Sequence, residues 1–323
     1  MIVVDRDGID RLIDFPSLID TLADAFCHDL TVPARHHYEI GREGAAATHL
    51  IMPAWSADVP GAGAFLGTKI VNVFPGNATH GLPAVLGAYL LQSGETGAPL
   101  AVFDGARLTQ WRTAAASALA ARHLARRDAR RLTMVGAGAL APFLVRAHAA
   151  VRPIERVTIW NHRPESAERA AAMLASSPFS VRVGDRLEDA VREADIVSCA
   201  TLSKAPLVLG EWLAAGVHVD LVGAFNLRMR EVDDAAVARA RVFVDTPAAK
   251  IEGGDVALAL KAGAIDDNHV EGDLSDLCRG RIAGRRAADE ITLFKSVGTA
   301  IEDLAAAMLI WRRLPGGADA RTP

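Results

Sequence analysis

Leu132-Thr-Met-Val-Gly136-Ala-Gly138-Ala-Leu-Ala141 reads as a β-strand that turns through Gly-x-Gly-x-x-Ala into a helix. Gly136 lets the chain turn sharply off the strand, Gly138 removes the Cβ that would block a pyrophosphate, and the small Ala141 lets the following helix pack against a sheet. The bare helix N-terminus then faces the phosphates with its amides and its dipole. The stretch therefore predicts a dinucleotide held by its pyrophosphate, and with it a redox or NAD(P)-assisted enzyme. Glycines also mark ordinary turns, so the context counts. A second strand, Val157-Thr-Ile-Trp160, ends where the residue that reads the ribose belongs.

At that strand end the carboxylate of an NAD-selective site is missing, and the chain reads Asn161-His162-Arg163. A carboxylate would repel a 2′-phosphate, whereas Arg163 can pair with one in a charge-assisted contact. The expectation is NADPH, with NADH a weaker alternative.

From Leu132 onward, apolar strand-like runs at 132–135, 157–160, 180–183, 195–200, 218–222 and 242–245 alternate with Ala-rich helical stretches. This is the rhythm of an α/β fold, a six-stranded doubly wound Rossmann sheet with helical crossovers. Ligands of such sheets bind at the carboxyl ends of the strands, which nominates Ala200-Thr201 and Gly223-Ala224-Phe225 as cleft loops. The first 105 residues mix apolar and polar residues in short runs around turn signals, at 49–52, 65–74, 85–91 and 100–103. Ser93-Gly-Glu-Thr-Gly97 joins the last two as a hairpin. An antiparallel sheet module is expected. Residues 109–125 read as an Ala-rich helix bridging the modules, with Thr109 near its N-cap. Residues 298–310 read as a final helix returning to the first module, with Ile301, Leu304 and Met308 on its apolar face.

The 323 residues allow two domains, and a formal charge of −4 shows no bulk basic character, so nucleic acid is not an expected partner. No apolar run reaches the roughly 18 residues a membrane span needs. Met1-Ile-Val-Val is followed at once by Asp5, Arg6 and Asp7, unlike a signal peptide. Cys27, Cys199 and Cys278 are far apart, without metal-ligand spacing, and a reduced cytoplasmic protein is expected. Cys199 is read as a small packing residue. The tail Pro315-Gly-Gly-Ala-Asp-Ala-Arg-Thr-Pro323 has little to bury and is expected to fray.

Cations in apolar surroundings are what packing explains least. Lys69 sits in Phe65-Leu-Gly-Thr-Lys-Ile-Val-Asn-Val-Phe74, and an unpaired buried ammonium is costly, so it either snorkels to solvent or has an anionic partner. Arg112, in Leu108-Thr-Gln-Trp-Arg-Thr-Ala-Ala-Ala116, opens a helix where a cation opposes the dipole, and something anionic should compensate it. Arg35, in Val32-Pro-Ala-Arg-His-His37, is a third candidate.

Lys69-Ile-Val-Asn, Gly81-Leu-Pro, Ser93-Gly-Glu-Thr-Gly97, Leu108-Thr-Gln-Trp-Arg112-Thr-Ala-Ala-Ala, the Gly136-Ala-Gly turn and Gly298-Thr-Ala-Ile-Glu-Asp303 resemble, in order and over nearly the full length, the ornithine cyclodeaminase/mu-crystallin family. The resemblance implies a split α/β module that binds substrate and dimerises through its sheet, joined to a Rossmann domain. On this sequence the division is residues 1–115 with 299–323 against 116–298, and the implied partner is a second copy of the chain. It also implies a substrate α-carboxylate gripped by Arg35, Lys69 and Arg112. Candidate cofactor contacts are Gly136, Ala137, Gly138, Ala139 and Leu140 at the turn, Asn161, His162 and Arg163, the strand-end residues Ala200, Thr201 and Phe225, and Thr113 and Ser296 beside the resembling motifs.

One departure bears on activity. Cyclodeaminases carry Asp in a Gly-Ala-Asp turn where this chain has Gly223-Ala224-Phe225, and a phenyl ring cannot act as a general base or pair with the second amino group of ornithine. The string from Val219 to Asp234 is more similar to the bacterial reductases of cyclic imino acids. The implied reaction is reduction by NADPH of Δ1-pyrroline-2-carboxylate to L-proline and of Δ1-piperideine-2-carboxylate to L-pipecolate. Lys69 is the first candidate proton donor and His80 the second. Alanine dehydrogenase-like activity, ornithine cyclodeamination and mu-crystallin-like ligand binding with NADPH are the alternatives, and no metal site is expected.

Overall fold

The computed structural model describes residues 1–41, 47–56 and 64–315. The tail segment 316–323 lies outside them. The chain divides into two compact units, Met1–Arg112 with the chain from Thr299 onward, and Thr113–Gly298.

The first unit holds β1 (Ile2–Val4), β2 (Leu30–Thr31), β3 (His36–Ile40), β4 (Ala47–Ser56), β5 (Phe65–Val73), β6 (Val85–Ser93) and β7 (Pro99–Asp104). They form one sheet in the order β1-β7-β6-β5-β4-β2, with β3 also on β4. The pairs from β2 to β7 are antiparallel, as the alternating runs predict, but β1 lies parallel to β7, so the sheet is mixed. Three apolar residues at the chain start are too short a run to announce a strand. Along β5 burial alternates, with Phe65, Gly67 and Lys69 inside and Ile70 exposed, which is the period of a half-buried strand. The register places Met52, Lys69, Tyr89 and Phe103 opposite one another on the inner face.

That inner face is covered by the C-terminal helix Ala300–Arg313, which lies against β4, β5 and β6 and packs on the helix Phe15–Cys27. Asp14 caps the latter by accepting from the Ser17 amide at 2.9 Å. Its stripe of Phe15, Leu18, Ile19, Leu22 and Phe26 is buried, each side chain contributing about 1.5–3 kcal/mol of transfer free energy.

The long helix runs Gly105–Leu124, four residues earlier than the sequence suggests. Thr109 is not near its cap: its hydroxyl donates to the Gly105 carbonyl within the helix, and Asp104 accepts from the Arg107 amide at 2.7 Å. Arg112 consequently sits inside the helix rather than at its opening, so the dipole is not what it must be compensated against.

The second unit holds β8 (Arg131–Val135), β9 (Arg156–Trp160), β10 (Ser180–Val183), β11 (Ile196–Cys199), β12 (His218–Leu221), β13 (Arg241–Val244), β14 (Val270–Asp273) and β15 (Thr292–Lys295). The order is β10-β9-β8-β11-β12-β15-β13-β14, all parallel. The doubly wound sheet is as expected but has eight strands rather than six. β14 is only half-buried and carries Glu271 and Asp273, while β15 has polar residues at both ends, Thr292 and Lys295, so neither shows a clear apolar run. Cys199 packs in the core of this unit with Val135, Val197, Val219 and Leu221. Among the described residues no helix is long and apolar enough to cross a membrane.

Candidate active site

Lys69 is buried and takes the anionic partner, not the solvent route: its Nζ donates to Asp303 Oδ1 at 3.0 Å. Arg112 Nε donates to the same oxygen at 3.1 Å, and Arg112 Nη1 to Glu302 Oε2 at 2.6 Å. Two cations from β5 and the long helix thus meet two carboxylates from the first turn of the C-terminal helix, in a formally neutral and buried cluster. Breaking one partner of such a pair typically costs 3–5 kcal/mol, because a charge is left buried and uncompensated. An ammonium has three hydrogens to donate, and among the described residues Asp303 is the acceptor of Lys69 Nζ, which leaves two for a ligand. Burial, and then the positive charge of Arg112, bring Lys69 down to about 8, against the attraction of Asp303 and Glu302.

The sequence placed Lys69 and Arg112 together only through the family resemblance, and it missed Glu302 and Asp303 as their partners. The signal was present: two adjacent acids in a helix whose remaining residues from Ala300 to Trp311 are almost all apolar. Arg35 is half-buried just ahead of β3. His80 ends the exposed turn Pro75–His80.

In the second unit the strand order reverses between β8 and β11, which is where a doubly wound sheet binds nucleotides. Gly136 follows β8 with φ +102°, a backbone that side chains rarely adopt, and a Cβ there would stand 2.5 Å from the Ala200 carbonyl oxygen. At Gly138 a Cβ would meet nothing within 4 Å, so the space above the turn is open. The helix Ala141–Val151 begins directly after, with no side-chain cap and no acidic residue in its first turn. Open space at Gly138 and a first turn without a carboxylate fit a pyrophosphate. Ala137, Ala139 and Leu140 complete this turn.

At the end of β9, His162 and Arg163 are exposed, with Arg163 Nε 3.2 Å from His162 Nε2, and Asn161 Nδ2 donates to the Arg163 carbonyl at 3.1 Å. No carboxylate stands in Asn161-His162-Arg163. Ala200 and Thr201 follow β11, and the Thr201 hydroxyl is turned inward to Glu231 at 2.8 Å. Phe225 is 42% exposed in the turn after β12. Thr113 and Ser296 are buried, and the Ser296 amide donates to the Leu221 carbonyl at 3.1 Å. Among the described residues no cluster of His, Cys, Asp or Glu could hold a metal ion.

A sheet module with buried paired cations and a doubly wound domain with an open glycine turn define a nicotinamide-dependent class of protein acting on a small carboxylate. The profile of the ornithine cyclodeaminase/mu-crystallin family matches residues 33–318, and the chain belongs to that family. It is 44% identical to a Δ1-pyrroline-2-carboxylate reductase of Paracoccus denitrificans, over 82% of this chain and 84% of the relative. The solved structure of the Thermococcus litoralis Δ1-pyrroline-2-carboxylate reductase with NADH and L-proline is 33% identical, superimposes with a TM-score of 0.91 and covers 97% of both chains. An archaeal alanine dehydrogenase dimer with bound NAD is 29% identical, superimposes with a TM-score of 0.88 and covers 97% of this chain and 95% of its own.

Proposed function

We propose that the protein reduces the C=N bond of cyclic imino acids, Δ1-pyrroline-2-carboxylate to L-proline and Δ1-piperideine-2-carboxylate to L-pipecolate, using a nicotinamide nucleotide. The observation that carries this reading is the buried Lys69–Arg112 pair, whose ammonium has, among the described residues, two donor hydrogens beyond the one given to Asp303. Arg112, Lys69 and Arg35 bind the substrate carboxylate, and much of the catalysis is positioning of C2. When bound, the cofactor supplies the hydride. Lys69 holds the proton that the imine nitrogen takes up, directly or through a water, because a group titrating near 8 is charged at neutral pH and still acidic enough to give its proton away. Phe225 stands where cyclodeaminases carry Asp, and its phenyl ring cannot act as a base, which disfavours the deamination of ornithine.

Gly136 to Leu140 hold the pyrophosphate, and Arg163 pairs with a 2′-phosphate, which favours NADPH over NADH. Thr113, Asn161, His162, Ala200, Thr201 and Ser296 are the remaining proposed cofactor contacts. The protein works as a cytoplasmic homodimer formed through the outer face of the first sheet, where Trp55, Ile70 and Leu86 are exposed. NADPH oxidation by the purified protein with each cyclic imine tests the reading. Pyruvate with ammonia tests the alanine dehydrogenase alternative that the second structural relative brings. Turnover of the imines and not of pyruvate supports the reductase.

A further inference from the structure

Glu231 lies between β12 and the helix Asp234–Arg239, and its side chain is fully buried. Its Oε1 accepts from the Thr201 amide at 2.7 Å and from the Thr201 hydroxyl at 2.8 Å. A Cβ at Gly223 would stand 2.4 Å from that same oxygen and 2.3 Å from the Thr201 carbonyl oxygen. The turn after β12 is therefore closed down on the loop after β11, with no room for a side chain at the contact.

Two further groups hold the arrangement. Lys295, the last residue of β15, donates to the carbonyls of Leu221, at 3.2 Å, and of Gly223, and its ammonium is 3.5 Å from Asp255 Oδ2. Asp255 Oδ1 accepts from the amides of Glu231 and Val232 at 2.7 and 3.0 Å. Next in the turn, Ala224 has φ +47°, the one positive value at a non-glycine among the described residues, and its carbonyl accepts from the Gly254 amide at 2.7 Å. Such backbone persists where its surroundings over-determine it. Nothing in the proposed reaction has used this network.

We infer that Glu231 is a positioning residue: it joins the Ala200-Thr201 loop to the Gly223-Ala224-Phe225 turn, and so fixes both as one platform for the cofactor and for the placing of Phe225. This rests on the reading of these loops as cofactor loops of an imine reductase. Burial pushes the Glu231 carboxyl above the usual carboxylate range, with Lys295 pulling it down and Asp255 pushing it up. An amide that keeps the Oε1 acceptor for the Thr201 amide and hydroxyl is a close replacement.

The test compares Glu231→Ala, Glu231→Gln and Thr201→Val by amide hydrogen exchange without nucleotide and by fluorescence titration with NADPH and NADH. Glu231→Ala is expected to speed exchange at Thr201 and at 223–225 together and to weaken nucleotide binding about tenfold or more. Glu231→Gln restores both. Thr201→Val, which keeps the amide bond and loses the hydroxyl bond, falls between them and carries the test if the alanine variant does not fold. Unchanged exchange in either loop of the alanine variant, or in Thr201→Val unchanged binding, overturns the inference, as does a glutamine variant as impaired as alanine. Faster exchange with unchanged affinity would show loops joined for stability alone and would also overturn it. If the wild type binds neither nucleotide, the reductase reading fails and the positioning role with it, while the exchange data still decide separately whether Glu231 couples the loops.

Discussion

At the scale of single residues, Lys69 combines two effects of one environment. Its side chain is 2% exposed beside Arg112, and the proton it would keep to about 10.5 in water leaves at about 8. Activity should therefore fall as pH rises through about 8, and Lys69→Ala should lose roughly 10²–10⁴-fold in kcat/KM together with that alkaline limb. PH profiles of the two proteins check this, and a limb that survives in Lys69→Ala would assign it to another group. Stability should move the other way. Between about 8 and 10.5 the unfolded chain binds this proton and the folded one does not, so this group's contribution to stability rises with pH across that window, measurable by urea unfolding in wild type and Lys69→Ala. Arg163 carries a separate prediction: Arg163→Ala should raise KM for NADPH about tenfold and leave KM for NADH nearly unchanged. Equal effects on both would remove the 2′-phosphate contact. These cations stood out in the sequence because packing could not explain them. Their partners at 302 and 303 did not, since a separation of 190 residues is bridged only by the fold.

At the scale of elements, the C-terminal helix is both a lid on the inner sheet face and the source of the countercharge. Asp303→Ala leaves Lys69 and Arg112 sharing one carboxylate, and it should lower stability by about 3–5 kcal/mol in chemical denaturation. A change below about 1 kcal/mol would mean that the cluster is hydrated and the pairing weak. Parallel strands β8 to β13 were legible because strands buried on both faces read as apolar runs. β1 and β14 were not, being short or half-polar. The start of the long helix was missed because Asp104, its cap, also ends the strand-like run of β7, so the boundary falls inside what reads as one strand signal. Glu231, Lys295 and Asp255 carry no pattern at all, because their significance lies in which loops they join.

At the scale of the whole molecule, the outer face of the first sheet exposes Trp55, Ile70 and Leu86 along neighbouring antiparallel strands. An apolar face of this kind is what a second copy would cover. Sedimentation should give twice the 34.2 kDa chain mass, and Ile70→Glu should yield monomer. A wild-type monomer at micromolar concentration would contradict the dimer without touching the chemistry.

The most direct measurement is NADPH oxidation with Δ1-pyrroline-2-carboxylate and Δ1-piperideine-2-carboxylate, beside ornithine with NAD. The account predicts rapid oxidation with at least one imine, yielding L-proline or L-pipecolate, and no conversion of ornithine. Proline formed from ornithine, with neither imine reduced, would contradict it and show that Phe225 does not exclude cyclodeamination.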